Sequence, residues 1–430
     1  MNIHVSETRL RRGKSPARRS RPPFDCIALM LQGGGALGAY QGGVYQGLAE
    51  ANLHPDWVAG ISIGAINSAL IAGNAPERRV DRLRGFWDAI TLKPLLGGSA
   101  ALELFPDDGA GDGSPAEHVG ELWRRMFEDA AALWGGPSLT PRGSSARSLA
   151  SQANAWLAAA FGAPGMFAPR TVSPWLQPPG TLESTSYYDT SSLKATLERF
   201  VDFDRINAGE MRFSVGAVNV TSGNFVYFDN TTHTIGPEHV MASGALPPGF
   251  PAVEIEGESY WDGGLVSNTP LQWVLESEDR QDTLAFQVDL WSARGGFPRT
   301  MSEVASRMKE IQYSSRTRAN TDQFKYVQRI RRALSELLSQ APEDLRATPE
   351  YRLLAPHADR KVYNLVQLIY RSRDYEGGFK DHEFSQQGMN DHWRAGYHDT
   401  IRTLRHPEVL ERPTSPDGVL TFDLALHGRE

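Results

Sequence analysis

The sequence predicts a layered α/β protein with a central, mainly parallel sheet, a helical and loop-rich insertion, and an added C-terminal region. Three observations carry this expectation. Phe24 to Leu31 is a nearly unbroken apolar run that stops at Gly33-Gly34-Gly35, as a strand covered on both faces requires. Trp57 to Ile61 runs straight into the small-residue helical pattern Ser62 to Leu70, so strand, sharp turn and helix share one short stretch. Beyond Pro298 the composition shifts to long, charge-rich helical stretches.

The elements follow in order. A helix is expected through Gly38 to Leu48, with Val44 and Leu48 four apart on one buried face. Glycines 38, 42, 43 and 47 weaken it by about 1 kcal/mol each against alanine, which is intelligible if this helix lies against a neighbouring backbone. Glu77 to Ile90 carries Val80, Leu83, Phe86, Trp87 and Ile90 on one face. From about 97 to 186 the pattern degrades into loops and helical pieces such as Glu121 to Leu133 and Ser148 to Phe161, an insertion projecting from the sheet. Within it Trp175, Leu176, Tyr187 and Tyr188 either form a substrate-facing lip or pack the insertion onto the body. Met211 to Val220 and Asn224 to Asp229 read as a hairpin, and Pro237 opens a helix to Ser243. Strand pieces at Val253 to Ile255 and Ser259 to Trp261 lead into Asp262-Gly263-Gly264, followed by a helix near Pro270 and a strand at Leu284 to Leu290. The tail reads as helices Ser302 to Thr321 and Thr321 to Gln340, a strand Lys361 to Tyr370 and a closing helix Phe384 to Arg405. The expected units are a basic arm at 1–22, a body at 23–297 and the C-terminal region at 298–430.

Length and charge limit what the chain does. A chain of 430 residues buries a large core, and a net charge of -7 argues against a nucleic-acid surface on the chain as a whole. The exception is local: Arg9, Arg11, Arg12, Lys14, Arg18, Arg19 and Arg21 stand among prolines and serines with few apolar side chains. That composition predicts a disordered arm, with peripheral contact to an anionic membrane as its functional reading. The arm lacks the apolar run of a secretory signal, and no segment reaches the ~18 apolar residues of a spanning helix. Cys26 is alone, so no internal disulfide forms, and its apolar neighbours predict a buried, packing thiol. A cytoplasmic chain, with peripheral contact at a membrane or lipid surface, is the expectation; the oligomeric state is not readable from these residues.

The chemistry centres on Gly60-Ile61-Ser62-Ile63-Gly64, a G-x-S-x-G pentapeptide at a strand-to-helix junction. Such a turn forces its central serine into strained dihedrals, and glycines on either side remove colliding side chains. Upstream, Gly33, Gly34 and Gly35 offer backbone N–H groups that converge without Cβ obstruction, donors for a developing oxyanion, joined by Ile63. A phosphate cradle uses similar glycines, but no Walker lysine and serine stand here, nor the dinucleotide pattern. Ser62 needs a base. His233 and His239 lack the setting of a triad histidine, whereas Asp262 follows a strand end and Gly263-Gly264 keeps space open above its carboxylate. Asp381-His382-Glu383 and Asp391-His392 do not continue into converging metal spacings, so neither metal nor cofactor is expected.

These three segments, GGGALG at 33–38, GISIG at 60–64 and DGGLVSNTP at 262–270, together resemble the patatin-like phospholipase family in identity and order. The resemblance implies a Ser62-Asp262 dyad, an oxyanion loop in the glycine-rich stretch, and Gly38, Gly60, Gly64, Gly263, Gly264 and Asn268 as motif support. It extends through Ala242 to Pro251 and covers roughly 24–290; the tail is similar to an additional region of some bacterial members. Leu37 stands where the family often has a basic residue. The implied activity is hydrolysis of lipid carboxylic esters, as a phospholipase A or lysophospholipase, through an acyl-enzyme. Short-chain polyester or general carboxylesterase activity, and a catalytically idle lipid-binding protein, are the alternatives.

Overall fold

The computed structural model describes residues 21–92, 146–277, 279–314, 317–372, 376 and 379–424. The expected helix at Glu121 to Leu133, the loops around it, the C-terminal tip and nearly all of the basic arm lie outside these residues. Arg21, the last basic residue of the arm, is hydrogen-bonded to Asp56 on the body, so its charge is already partnered.

Strand β1 (Cys26–Leu31) lies between β2 (Trp57–Ile61) and β9 (Thr283–Asp289), parallel to both. Its side chains alternate between two cores: Ile27, Leu29 and Leu31 enter one, Cys26, Ala28 and Met30 the other. Two covered faces explain why the run is apolar throughout instead of alternating. Burial pushes the Cys26 thiol up to about 12, which suits a packing group rather than a reactive one.

The pair β3 (Ala168–Pro169) and β4 (Tyr188–Asp189) stands outside the main sheet, which has nine strands among the described residues. Its order is Val419–Phe422 (β11), Tyr363–Ile369 (β10), β9, β1, β2, Arg212–Asn219 (β5), Glu258–Asp262 (β8) and Val253–Ile255 (β7), with Phe225–Asp229 (β6) also paired to β5. The six strands from β11 through β10 to β5 are parallel to one another. The hairpin partner β6 (Phe225–Asp229) and β8 (Glu258–Asp262) run antiparallel to β5, and β7 (Val253–Ile255) antiparallel to β8. This is the mostly parallel, helix-flanked sheet that the sequence predicts. The C-terminal region is not a detached unit, because β10 and β11 extend the sheet of the body. The expected division of its helices near Thr321 falls earlier: one helix spans Met301–Tyr313 and the next Thr317–Ser339. Strand β11 gave no sequence signal.

Helix α1 (Ala39–Glu50) packs along the closing helix Gln386–Thr403. The contact is backbone to backbone. A Cβ on Gly43 would stand 1.9 Å from the Trp393 carbonyl oxygen, and one on Gly396 would stand 2.0 Å from that of Tyr40. The helix-weakening glycines of α1 are the condition for this crossing. Gly43→Ala must push the two helices apart, a strain of about 1–3 kcal/mol. It should lower the thermal unfolding midpoint by several degrees; an unchanged midpoint would show that this crossing is not tight.

Candidate active site

Strand β2 ends at Ile61, and Ser62 turns the chain into α2 (Ile63–Ala72) at φ 56° and ψ -125°. A side chain held there costs on the order of 1–3 kcal/mol and persists only where its surroundings enforce it. The enforcement is visible. The Ser62 N–H donates to the carbonyl and the Oγ of Ser243 at 3.1 and 3.0 Å, and the Ser243 hydroxyl donates to the Gly216 carbonyl at 2.6 Å. The Ser62 carbonyl accepts the Ala65 N–H at 2.9 Å and so opens the helix. Both flanking glycines are required, since a Cβ on Gly60 would lie 2.2 Å from the Gly64 carbonyl oxygen and one on Gly64 2.1 Å from that of Leu31.

Asp262 ends β8, opposite Ala217 of β5. Asp262 is 2% exposed, accepts the Gly264 N–H at 2.7 Å, and has the Ser62 side chain as its other polar neighbour. Burial raises its pKa to about 7; the Ser62 side chain and the Gly264 N–H oppose that rise without cancelling it. Gly263 presses on the Gly216 carbonyl, where a Cβ would meet oxygen at 2.6 Å. The two groups assigned by sequence to nucleophile and base, 200 positions apart, therefore lie beside one another at one cavity.

The glycine-rich turn lies beside them. Gly33 would bring a Cβ within 2.9 Å of Ser62 Cβ, and Gly35 adopts φ +55°. Among the described residues, the N–H groups of Gly34, Gly35 and Ile63 have no protein acceptor. Gly33 differs from the expectation. Its N–H donates to the Asn268 carbonyl at 3.4 Å, and its own carbonyl accepts Asn268 Nδ2 at 3.1 Å and Trp291 Nε1 at 2.9 Å. It anchors the turn rather than offering a donor. Gly38 clears the way for Ile63, whose side chain would otherwise sit 2.5 Å from a Cβ. Leu37, in the place of the family's basic residue, is fully buried.

Sequence reasoning assigned no role to Gln32 or Ser243. Gln32 is fully buried at the end of β1. Its Oε1 accepts the N–H groups of Leu290 and Trp291 at 2.6 and 3.0 Å, and its Nε2 donates to Thr269 Oγ1 and the Tyr313 carbonyl, both at 3.0 Å. A polar amide immediately after six apolar strand residues was the available signal for Gln32. No local pattern marks Ser243.

A cavity of about 240 Å³ opens onto Ser62 and Asp262. The insertion and the segment that follows it supply an apolar wall, including Ala155, Met166 and Phe167 from the first and Tyr188 and Leu193 from the second, and Phe250 joins it. The Phe167 ring meets those of Tyr188 and Phe250 at 5.0 and 5.2 Å between centroids. Of the four aromatic and leucine candidates for a lip, Tyr187 and Tyr188 line this cavity, while Trp175 and Leu176 stand 80% and 70% exposed and do not. The C-terminal region lines the same cavity through Lys309, Tyr313, Asp381, His382 and Phe384. His233 and His239 are not among the lining residues. Among the described residues no group of three or more metal-ligating side chains converges, and no helix is long and apolar enough to cross a membrane.

A mostly parallel, helix-flanked sheet that holds a strained serine beside a buried aspartate defines a class of α/β protein, and comparison with known families gives the class its name. The family model for patatin-like phospholipase matches residues 29–275, and a second, described as patatin phospholipase, matches residues 311–416. The chain belongs to the patatin-like phospholipase family, and membership supports lipid-acyl hydrolase activity of the phospholipase type in general. Over 97 residues the chain is 29% identical to the triacylglycerol lipase SDP1L of Arabidopsis thaliana, a stretch covering 23% of this chain and only 12% of that lipase. Among solved structures, VipD of Legionella pneumophila aligns over 96% of this chain and 77% of its own, with 14% identity and a TM-score of 0.37. Full-length ExoU of Pseudomonas aeruginosa, solved with SpcU, aligns over 71% and 52%, with 16% identity and a TM-score of 0.23.

The Asp262 environment has a consequence for stability. An aspartate in the unfolded chain titrates near ~4, whereas this one is raised to about 7 in the folded protein. Its contribution is therefore present below about pH 4, is lost as pH rises toward 7, and stays constant above. Asp262→Asn should unfold at a higher temperature than wild type, by a margin that widens from pH 4 to pH 7 and then levels. A margin that stays flat across a pH series of thermal melts would contradict a raised pKa.

Proposed function

We propose that this chain is a serine acyl hydrolase of lipid carboxylic esters, of the phospholipase A or lysophospholipase type, with Ser62 as nucleophile and Asp262 as general base. The observation that carries the proposal is that Ser62, held in a strained turn, and the buried Asp262 carboxylate line one cavity, with burial lifting that carboxylate to about 7. An exposed aspartate is too weak a base to assist a serine well; burial moves it toward the working pH, where proton transfer is most effective.

The steps follow from the geometry. The acyl chain enters the apolar wall around Phe167, Tyr188 and Phe250, placing the ester carbonyl over Ser62. Asp262 takes the hydroxyl proton as Ser62 Oγ attacks the carbonyl carbon. The N–H groups of Gly34, Gly35 and Ile63 receive the oxyanion; donors of this kind contribute about 3–4 kcal/mol each to the transition state. Asp262 returns the proton to the departing alcohol or lysolipid, leaving an acyl-Ser62 ester. Water then attacks as the same carboxylate takes its proton, and that proton passes to Ser62 Oγ as the acyl–oxygen bond breaks and the fatty acid leaves. The basic residues of the N-terminal arm provide the proposed peripheral contact with an anionic membrane.

A hydrolysis panel of p-nitrophenyl esters, phospholipids, lysophospholipids and triacylglycerols tests this. Ser62→Ala and Asp262→Asn should each reduce kcat by at least about a thousandfold while remaining folded. In wild type, kcat/KM should rise with pH and flatten above about 7, because only the ionised carboxylate acts as base. Turnover undiminished in either variant would remove that residue from its role, and wild type inactive on every ester would leave the lipid-binding alternative.

A further inference from the structure

Four charged side chains from two distant parts of the C-terminal region are cross-paired beside the glycine-rich turn. Lys309 Nζ donates to Asp381 Oδ1 and Oδ2 at 3.2 and 3.0 Å, and Lys380 Nζ donates to Glu310 Oε1 at 2.9 Å. Adjacent residues of the helix Met301–Tyr313 thus grip adjacent residues of the segment Phe379–Ser385 in antiparallel register, cation to anion in both pairs. The four side chains are between 5% and 19% exposed. Burial pushes the Asp381 carboxyl up, but His382 and Lys309 outweigh it and hold it well below the usual carboxylate range.

Taking four charges out of water costs several kcal/mol per ion, and a buried pair is a poor source of stability compared with apolar packing. What the pairs hold in place is more specific. The Asp381 main-chain carbonyl occupies the space over Gly35 that a Cβ would need, 2.3 Å from its ideal position, and Gly35 sits at φ +55°. At the end of the same helix, the Tyr313 carbonyl accepts Gln32 Nε2 at 3.0 Å and Asn268 Nδ2 at 2.9 Å. Asn268 in turn donates to the Gly33 carbonyl, as does Trp291, whose ring centroid lies 5.3 Å from the Lys380 ammonium. The turn is therefore gripped at Gln32, Gly33 and Gly35 by groups that the two ion pairs tie together.

We infer that the reciprocal clamp Lys309–Asp381 and Glu310–Lys380 positions the oxyanion-binding turn, keeping the Asp381 carbonyl on Gly35 and the Tyr313 carbonyl on Gln32 and Asn268 so that the free N–H groups stay aimed at the reacting carbonyl. This rests on the hydrolase function proposed above. The clamp residues are positioning residues: none forms or breaks a bond, and their effect passes through the backbone of the turn. The C-terminal region is then part of the catalytic apparatus and not an appendage to it.

The test compares the full-length wild type with Lys309→Met, Asp381→Asn, Lys380→Met and the exchanged pair Lys309→Asp with Asp381→Lys. Each is assayed for kcat and KM on one p-nitrophenyl acyl ester and for inhibition by a trifluoromethyl ketone of the same acyl chain, whose adduct places an oxyanion in the turn. Displacing oxyanion donors by a fraction of an ångström should lower kcat by about 10- to 100-fold. KM should stay within about threefold, and the ketone should weaken by the same factor as kcat. The exchanged pair should recover at least about tenfold over either single variant. Melting curves identify any variant that is unfolded at assay temperature; Lys380→Met and the exchanged pair keep the comparison open if one single variant is lost. Folded variants with wild-type kcat and ketone affinity would overturn the inference alone. Loss confined to KM, or kcat loss without ketone weakening, would also overturn it. A wild type that hydrolyses no ester would remove the hydrolase function and this inference together.

Discussion

Burying the Asp262 carboxylate is the constraint around which the body is built. Removing a carboxylate from water is costly, and the Ser62 side chain and the Gly264 N–H only partly offset it. Each must arrive from a fixed direction. The antiparallel pairing of β8 with β5 sets where the aspartate ends, and the parallel pairing of β5 with β2 sets where the serine turn begins. Ser243 locks the turn from a third element, bonding both Ser62 and Gly216. If the strand register slipped by one residue, every inward side chain would change face and the carboxylate would lose its donor.

The same constraint accounts for the glycines that cannot carry a side chain. Gly60, Gly64 and Gly263 all lie within 2.6 Å of a carbonyl oxygen, measured from where their Cβ would be. Space is removed in order to bring three backbone segments together beneath one hydroxyl. The strained φ of Ser62 belongs to this economy: the surrounding bonds over-determine the turn, and the strain persists because relaxing it would break them.

Much of this was legible in the sequence because local physics encodes it. An apolar run with two covered faces is a central parallel strand, and β1 is one. The glycines of α1 announced a close neighbour, and the closing helix is that neighbour. Glycines flanking a serine, and glycines after an aspartate, mark backbone positions where nothing else fits. The rest was carried by long-range pairing, which leaves no local trace. Lys309 and Asp381 meet across 72 positions, Gln32 and Tyr313 across 281. Gly33 looked like its two neighbours by residue type, yet its amide faces Asn268. Trp175 and Leu176 were apolar enough for a cavity lip, but apolarity does not say which side of a loop faces the site. Strand β11 is short and only partly covered at the sheet edge, so its residues carry no continuous apolar run.

The central claim is that a hydroxyl at 62 is activated by a carboxylate at 262, and covalent capture reads it most directly. Wild type treated with a fluorophosphonate should gain one adduct, which mass spectrometry of the digested protein places on Ser62, and Asp262→Asn should acquire it far more slowly at the same pH. An adduct on another residue, or equal labelling rates in the two proteins, would contradict the account.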